Sequence, residues 1–253
     1  MKRLLSFLIS FLVYALLPLS ANAQALIADL SSHIIAIETD FHGAELVLFG
    51  SIDQKLTPED NLVFVVRGPA QNIIMRQKEQ RHGIWMNTQQ AIFEEIPSYY
   101  AAYSVHPLND TVPPLLRQRN QLGLYTLDMP VAPNTTTTAA VSQQFRLEIL
   151  QKKQQDNLYS EKVGTTSFLG DKLFRVPLKF PENVPIGRYT VDTFLLRKGE
   201  VVAAQTTPLH ISKDGIGAEV FLFAHRHTAL YGLLAVLLAV AVGWGSTTLF
   251  KKA

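Results

Sequence analysis

Residues 188–212 read RYTVDTFLLRKGEVVAAQTTPLHIS. Two long runs, Arg188 to Arg197 and Glu200 to Ser212, flank the dipeptide Lys198-Gly199. A two-residue link containing glycine suits the positive backbone angles of a tight hairpin turn, so the stretch predicts two paired antiparallel strands. Successive side chains on a strand point to opposite faces, which puts Tyr189, Val191, Thr193 and Leu195 on one face. One apolar face and one mixed face is the pattern of an antiparallel sheet packed on one side only.

The same signal recurs on either side. Thr165 to Leu169 and Leu173 to Phe180 precede the hairpin, and Pro181, Pro185 and Gly187 form the loop between. Earlier come Ile34 to Ile37, Glu45 to Phe49, Leu62 to Arg67, Asn72 to Gln77, Ile84 to Asn87, Ala91 to Glu95 and Tyr99 to Ser104. Short β-branched and aromatic runs at such regular spacing predict an immunoglobulin-like antiparallel sandwich. Between the two β segments, Leu115 to Leu124 and Ala139 to Gln155 are rich in Gln, Leu, Arg and Lys. In the second stretch Val141, Phe145, Leu147, Ile149 and Leu150 fall near helical spacing. We read them as a helical insertion over about 113–156, with Pro130 to Thr138 as a Pro/Thr linker and Thr137 or Thr138 as the helix cap. Two small domains divided near residue 110 are the alternative.

The ends predict the compartment. Residues 1–23 carry Lys2 and Arg3, an uncharged apolar run from Leu4 to Leu17, and Ala21-Asn22-Ala23. These are the three parts of a secretory signal peptide, with cleavage before Gln24. The expected extracytoplasmic, periplasmic domain is then 24–216, followed by a juxtamembrane helix over 217–228. Residues 229–250 hold the uncharged stretch Ala229 to Leu249, which at ~1.5 Å per residue covers about 31 Å and suits a transmembrane helix. Lys251 and Lys252 follow, and flanking positive residues stay inside, so 251–253 is the expected cytoplasmic tail. The expectation is a single-pass inner-membrane protein with the lipid bilayer as its first partner. Within the span, Ala235, Ala239 and Gly243 recur every four residues. Such a stripe lets two helices approach closely, in self-association or against another membrane protein such as a permease.

Composition narrows the function. The net charge is +2, but without Lys2, Arg3, Lys251 and Lys252 the rest holds 19 basic against 21 acidic residues. That balance gives no support to a nucleic-acid partner. There is no cysteine, which removes thiol catalysis, thiolate metal sites and acylation as a lipoprotein. No G-x-S-x-G, S-x-x-K, H-E-x-x-H, G-x-G-x-x-G or Walker pattern occurs. The expectation is no catalytic residue, no metal, no cofactor and no enzyme activity. His225 and His227 on a helix would point about 200° apart and not share a metal. The candidate binding residues are Arg67, Trp85, Asn87, Tyr99 and Tyr100, an Arg among aromatics on neighbouring strands, suited to a small anion or a protein partner.

Several phrases together resemble a known family: Ala28-Asp29-Leu30-Ser31, Val65-Val66-Arg67-Gly68-Pro69, Gly83-Ile84-Trp85-Met86-Asn87, Pro97-Ser98-Tyr99-Tyr100-Ala101, Val184-Pro185-Ile186-Gly187-Arg188-Tyr189, Tyr231-Gly232 and Gly243-Trp244. In this order they are similar to the alphaproteobacterial putative transmembrane protein family, across the whole mature chain. The resemblance implies a signal peptide, an extracytoplasmic domain and one C-terminal span, with no established activity or cofactor. It also implies an association with sulfite-exporter-type (TauE/SafE-like) permeases, and so an accessory role at a transporter. The alternatives are a membrane-tethered module that binds a small anion and an envelope enzyme without known motifs.

Overall fold

The computed structural model describes residues 25–38, 40–81, 83–133, 135, 137–213, 224–233, 235–237 and 239–240. The signal peptide, Gly243, most of the juxtamembrane stretch and the tail lie outside the described residues. The strands, in chain order, are β1 (Leu26–Leu30), β2 (Ile34–Ile37), β3 (Ala44–Ile52), β4 (Asn61–Arg67), β5 (Ala70–Arg81), β6 (Ile84–Pro97), β7 (Tyr100–Ser104), β8 (Tyr159–Val163), β9 (Ser167–Leu169), β10 (Leu173–Phe180), β11 (Gly187–Arg197) and β12 (Glu200–Lys213). Three helices, α1 (Leu108–Thr111), α2 (Pro114–Asn120) and α3 (Ala139–Gln155), lie between β7 and β8, with a 3₁₀ turn at Leu124–Thr126.

The protein is mainly β. The hairpin of β11 and β12 forms as its sequence predicts, with Lys198 at φ 50° and Gly199 at φ 77°. Two positive φ angles in succession are what a type I′ turn requires. The hairpin sits inside a six-stranded sheet of order β2-β12-β11-β4-β7-β8, opposite a four-stranded sheet of order β1-β3-β10-β9. Tyr189, Val191, Thr193 and Leu195 are all buried on the inner face of β11. The two sheets meet through aromatic contacts. Phe64 of β4 lies 5.4 Å from Phe174 of β10, and Tyr99 lies 5.4 Å from Phe180 and 5.9 Å from Tyr189. Phe174 fits because Gly50 leaves room, as a Cβ there would come 2.6 Å from the Phe174 ring.

Side chains close the seams between sheets. The amide of Gln205 on β12 accepts from the Ala28 N–H at 2.9 Å and donates to the Ala28 carbonyl at 2.6 Å. It stands in for a missing neighbour strand and covers an open edge of β1, the kind of edge that otherwise invites pairing with another chain. Arg197 donates to Asp53 at 2.6 Å and ties β11 to the end of β3. The Tyr189 hydroxyl donates to the Pro185 carbonyl at 2.5 Å and fixes the bend into β11. Tyr189→Phe removes that one bond and keeps the ring, so we expect a loss of about 1 kcal/mol and a Tm lower by about 2–4 °C. An unchanged melting curve would show that the bend holds without it.

The second expected helix forms with its expected bounds, whereas the Leu115 to Leu124 stretch divides into α2, ended at Gln121 with φ 52°, and the 3₁₀ turn. Thr138 caps α3, its hydroxyl accepting from the Val141 N–H at 3.4 Å. Phe145, Ile149 and Leu150 are buried and join the core cluster that spans both sheets. Two further features differ from expectation. Ile84 to Asn87 and Ala91 to Glu95 are one continuous strand, because Gln89 and Gln90 pair with Gln77 and Arg76 and only Thr88 is bulged out of the ladder. The Pro130 to Thr138 linker is not a free tether: Ala132 donates to the Ile92 carbonyl at 2.8 Å, and Glu94 donates to the Pro130 carbonyl at 2.9 Å. Both bonds lie along β6.

Candidate functional site

The five binding residues expected from the sequence divide into two places. Arg67, Tyr99 and Tyr100 sit where the two sheets and the helical segment meet. Arg67 and Tyr100 are direct partners across β4 and β7. The Arg67 guanidinium donates to the Asp192 carboxylate and, at 2.8 Å, to the Asn120 carbonyl. The other Asp192 oxygen accepts from the Thr206 hydroxyl at 2.6 Å. The Tyr100 hydroxyl donates to the Gln121 carbonyl at 2.7 Å and accepts from the Gly123 N–H at 2.8 Å. Burial pushes its pKa well above the ordinary tyrosine value, so it stays protonated and makes both bonds at once. Tyr99 is buried with the same effect on its pKa, and donates to the Lys179 carbonyl at 2.8 Å. These three side chains hold the fold together, and their polar atoms face protein partners.

Trp85 and Asn87 are elsewhere. They lie near the end of a long arm formed by β5 and β6 alone. The ten steps along β5 from Ala70 to Gln80, the partner of Trp85, place Trp85 about 33 Å along the strand at ~3.3 Å per residue. The base of the arm is anchored. Ala91, Phe93 and Ile96 are buried, Pro130 to Ala132 runs alongside, and Thr137 donates to Gln89 at 2.7 Å. At Glu94 and Glu95 the strand bulges, with the Glu95 N–H donating to the Asn72 side chain at 3.2 Å and Glu95 at φ 54°. The bulge takes up the two acidic residues, which a regular strand would have placed on opposite faces. At the far end Gly83 adopts φ 82°, and Ile84, Trp85 and Met86 follow with 66 %, 66 % and 53 % of their surface exposed.

Ile84 and Met86 were not expected as site residues. Their signal was present in the sequence, because three large apolar residues in succession next to a turn gain nothing by burial within a two-stranded ribbon. A second apolar surface lies on the outer face of the four-stranded sheet, where Ile27, Phe49, Leu169 and Leu173 line a groove of about 570 Å3. Its short edge strand, β9, is three residues long. Among the described residues, no three of His, Asp or Glu gather as a metal-ligand set.

A family model described as Putative transmembrane protein (Alph_Pro_TM) matches residues 25–252. The chain belongs to this family. No curated protein and no solved structure matches the chain. Membership in Alph_Pro_TM makes association with a membrane part of the description of the protein. Among the described residues no helix is long and apolar enough to cross a membrane. The described C-terminal residues are helical at 224–226, bend at His227, and are helical again at 228–233, 235–237 and 239–240. Ala235 and Ala239 lie on this segment and are exposed, and Gly243 lies beyond it. Leu230, Leu233, Val236, Leu237 and Val240 are all more than half exposed.

Proposed function

We propose that the protein is a single-span inner-membrane protein whose periplasmic domain is a non-enzymatic interaction module, and that the β5–β6 arm is its docking element for an integral membrane partner. The observation that carries the reading is the exposed trio Ile84, Trp85 and Met86 at the end of an anchored arm. Large apolar residues grouped in water mark an interaction site, and Trp is the residue most often found to dominate binding energy. The anchored base argues for an arm held in position, which lowers the ordering cost of binding.

The membrane half of the reading rests on other observations. Residues 228–240 carry no charge, and among the described ones Leu230, Leu233, Val236, Leu237 and Val240 are each more than half exposed. A helix apolar all round needs lipid or protein to cover it. The signal-peptide pattern at the start and Lys251-Lys252 at the end support a periplasmic domain and a cytoplasmic tail. The Ala235, Ala239 and Gly243 stripe is the proposed face for helix association. A permease of the sulfite-exporter type is the partner that the family resemblance suggests.

We also read the fold as an immunoglobulin-like sandwich. Four strands in the order β1-β3-β10-β9 over β2-β12-β11-β4-β7-β8 follow that architecture, with β2 parallel to β12. Tyr189, near the start of β11 and bonded back to Pro185, has the position and bond of a tyrosine corner. The parallel pairing of β7 with β8 is a departure, made possible by the long helical segment between them.

The test is capture of the tagged full-length protein from native membranes in mild detergent. Trp85→Ala combined with Ile84→Ser should reduce recovery of the co-purifying membrane protein by about 30-fold, as expected for a hot spot worth ~2 kcal/mol. The Tm should move by less than about 1 °C, because the replaced side chains are mostly exposed. Undiminished capture by the double variant would refute the arm as the docking element, and recovery of the protein alone would remove the accessory reading.

A further inference from the structure

The helical segment encloses a polar cleft unrelated to the arm. Its walls are α2, the 3₁₀ turn with the residues that follow it, and α3, and its volume is about 710 Å3. Arg117, Arg119 and Arg146 all line it, and Asp128 is the carboxylate on its wall. The lining is therefore +2. Among the described residues, none of the three arginines is paired with an acidic side chain.

Local structure explains why three arginines line one cleft. Pro113 and Pro114 start α2, and Gln121 ends it at φ 52°, with the Leu122 N–H turning back to the Arg117 carbonyl at 2.8 Å. This sharp stop leaves Arg117 and Arg119 in the last turn, where cations are favoured by the helix dipole. The buried Tyr100 hydroxyl fixes the next loop through Gln121 and Gly123. Arg146, on α3, donates to the Leu127 carbonyl and ties the second helix to the same loop. The cleft thus stands on the core through Tyr100 and through Phe145, Ile149 and Leu150.

Most of the donors are unspent. A guanidinium carries five N–H donors. Arg117 donates one to the Asn109 side chain, while its Nε is buried with no partner. Arg146 uses one nitrogen on the Leu127 carbonyl. Arg119 is exposed. Planar guanidinium groups match carboxylate, sulfonate and phosphate oxygens in pairs. The volume lies in the range of small-molecule sites. Tyr125, largely exposed, and Leu147, less than half exposed, add apolar surface to the same cleft.

We propose that this cleft is a binding site for a small organic dianion, such as a phosphate monoester or a dicarboxylate. Arg117 and Arg146 hold the oxyanion oxygens, the exposed Arg119 adds positive charge at the rim, and Tyr125 with Leu147 receives the organic part. The site is independent of the docking arm, and of Arg67, whose guanidinium is engaged by Asp192 and Asn120.

Thermal melting of the full-length protein in detergent tests it, with phenyl phosphate and malonate as probes and chloride at matched ionic strength as the control. At about a hundred-fold excess over Kd, the probe should raise Tm by about 5–10 °C. Arg119→Glu should lose at least tenfold in affinity while its probe-free Tm stays unchanged, since that side chain is exposed. Arg188→Gln, at an exposed arginine on β11, should bind as the parent does. No rise with either probe, or an equal rise in Arg119→Glu, would overturn the proposal. Binding to phosphatidylglycerol vesicles through these arginines, without binding of the free probes, would also overturn it in favour of a lipid headgroup.

Discussion

Phe64→Ala should lower the unfolding free energy by about 3–5 kcal/mol. Phe64 is completely buried at the middle of β4. Its ring reaches across to Phe174 at 5.4 Å, so it fills the space between the two sheets. Phe174 is itself pressed against Gly50 and cannot move toward β3 to close a cavity. The loss therefore includes both the transfer of the ring and most of the void it leaves. Urea unfolding of the full-length protein in detergent, with the midpoint compared at constant slope, measures this. Phe64→Leu should cost much less, about 1–2 kcal/mol, because it keeps most of the contact across the sheets. An alanine variant within about 1 kcal/mol of the parent would contradict the packing described.

The second large effect is expected at Arg67 and Asp192. Asp192→Ala removes the carboxylate that receives both the Arg67 guanidinium and the Thr206 hydroxyl. Breaking a fully buried pair costs about 3–5 kcal/mol because a charge is left without its partner. Here the side chains keep 22 % and 17 % of their exposure, so water partly compensates. The expected loss is about 2–3 kcal/mol. Arg67→Met alone should cost less, since the Asp192 that it leaves can turn toward solvent and keeps its bond to Thr206. The Arg67→Met, Asp192→Ala double variant should be more stable than the sum of the two losses by about 1–2 kcal/mol, read from a double-mutant cycle. Strict additivity would mean that the pair is not coupled in the folded protein. The result also separates a structural Arg67 from a binding one, because a ligand-binding arginine could be removed at little cost in stability.

Much of the β structure was legible because its signals were local. Lys198-Gly199 can only be turn chemistry, and Leu173 to Phe180 and Ala139 to Gln155 have the bounds of β10 and α3. The strands without local signals were missed. In β1, Ile27 points outward into the apolar groove, so Leu26, Ile27 and Ala28 show no alternation. In β8, Tyr-Ser-Glu-Lys-Val is largely polar, and its parallel pairing with β7 involves no turn that the sequence could announce. The polar run Thr88-Gln89-Gln90 looked like a break between strands, and is the middle of an arm wetted on most of its surface.

The candidate site was legible only in part for a related reason. Trp85 stood near Tyr99 in the sequence, but an extended ribbon converts that separation into distance. Arg117 and Arg146 show the converse. They are 29 positions apart and line one cleft because Tyr100 and the core hold the loop between their helices. Nothing in a helical or alternating pattern reports that meeting.

The measurement that tests the docking arm most directly is site-specific photocrosslinking in native membranes. A benzophenone amino acid is placed at position 85, and in a second strain at position 202, an exposed valine on β12. The account predicts one discrete adduct with a membrane protein from position 85 and none from position 202. No adduct from position 85, or the same adducts from both positions, would contradict it.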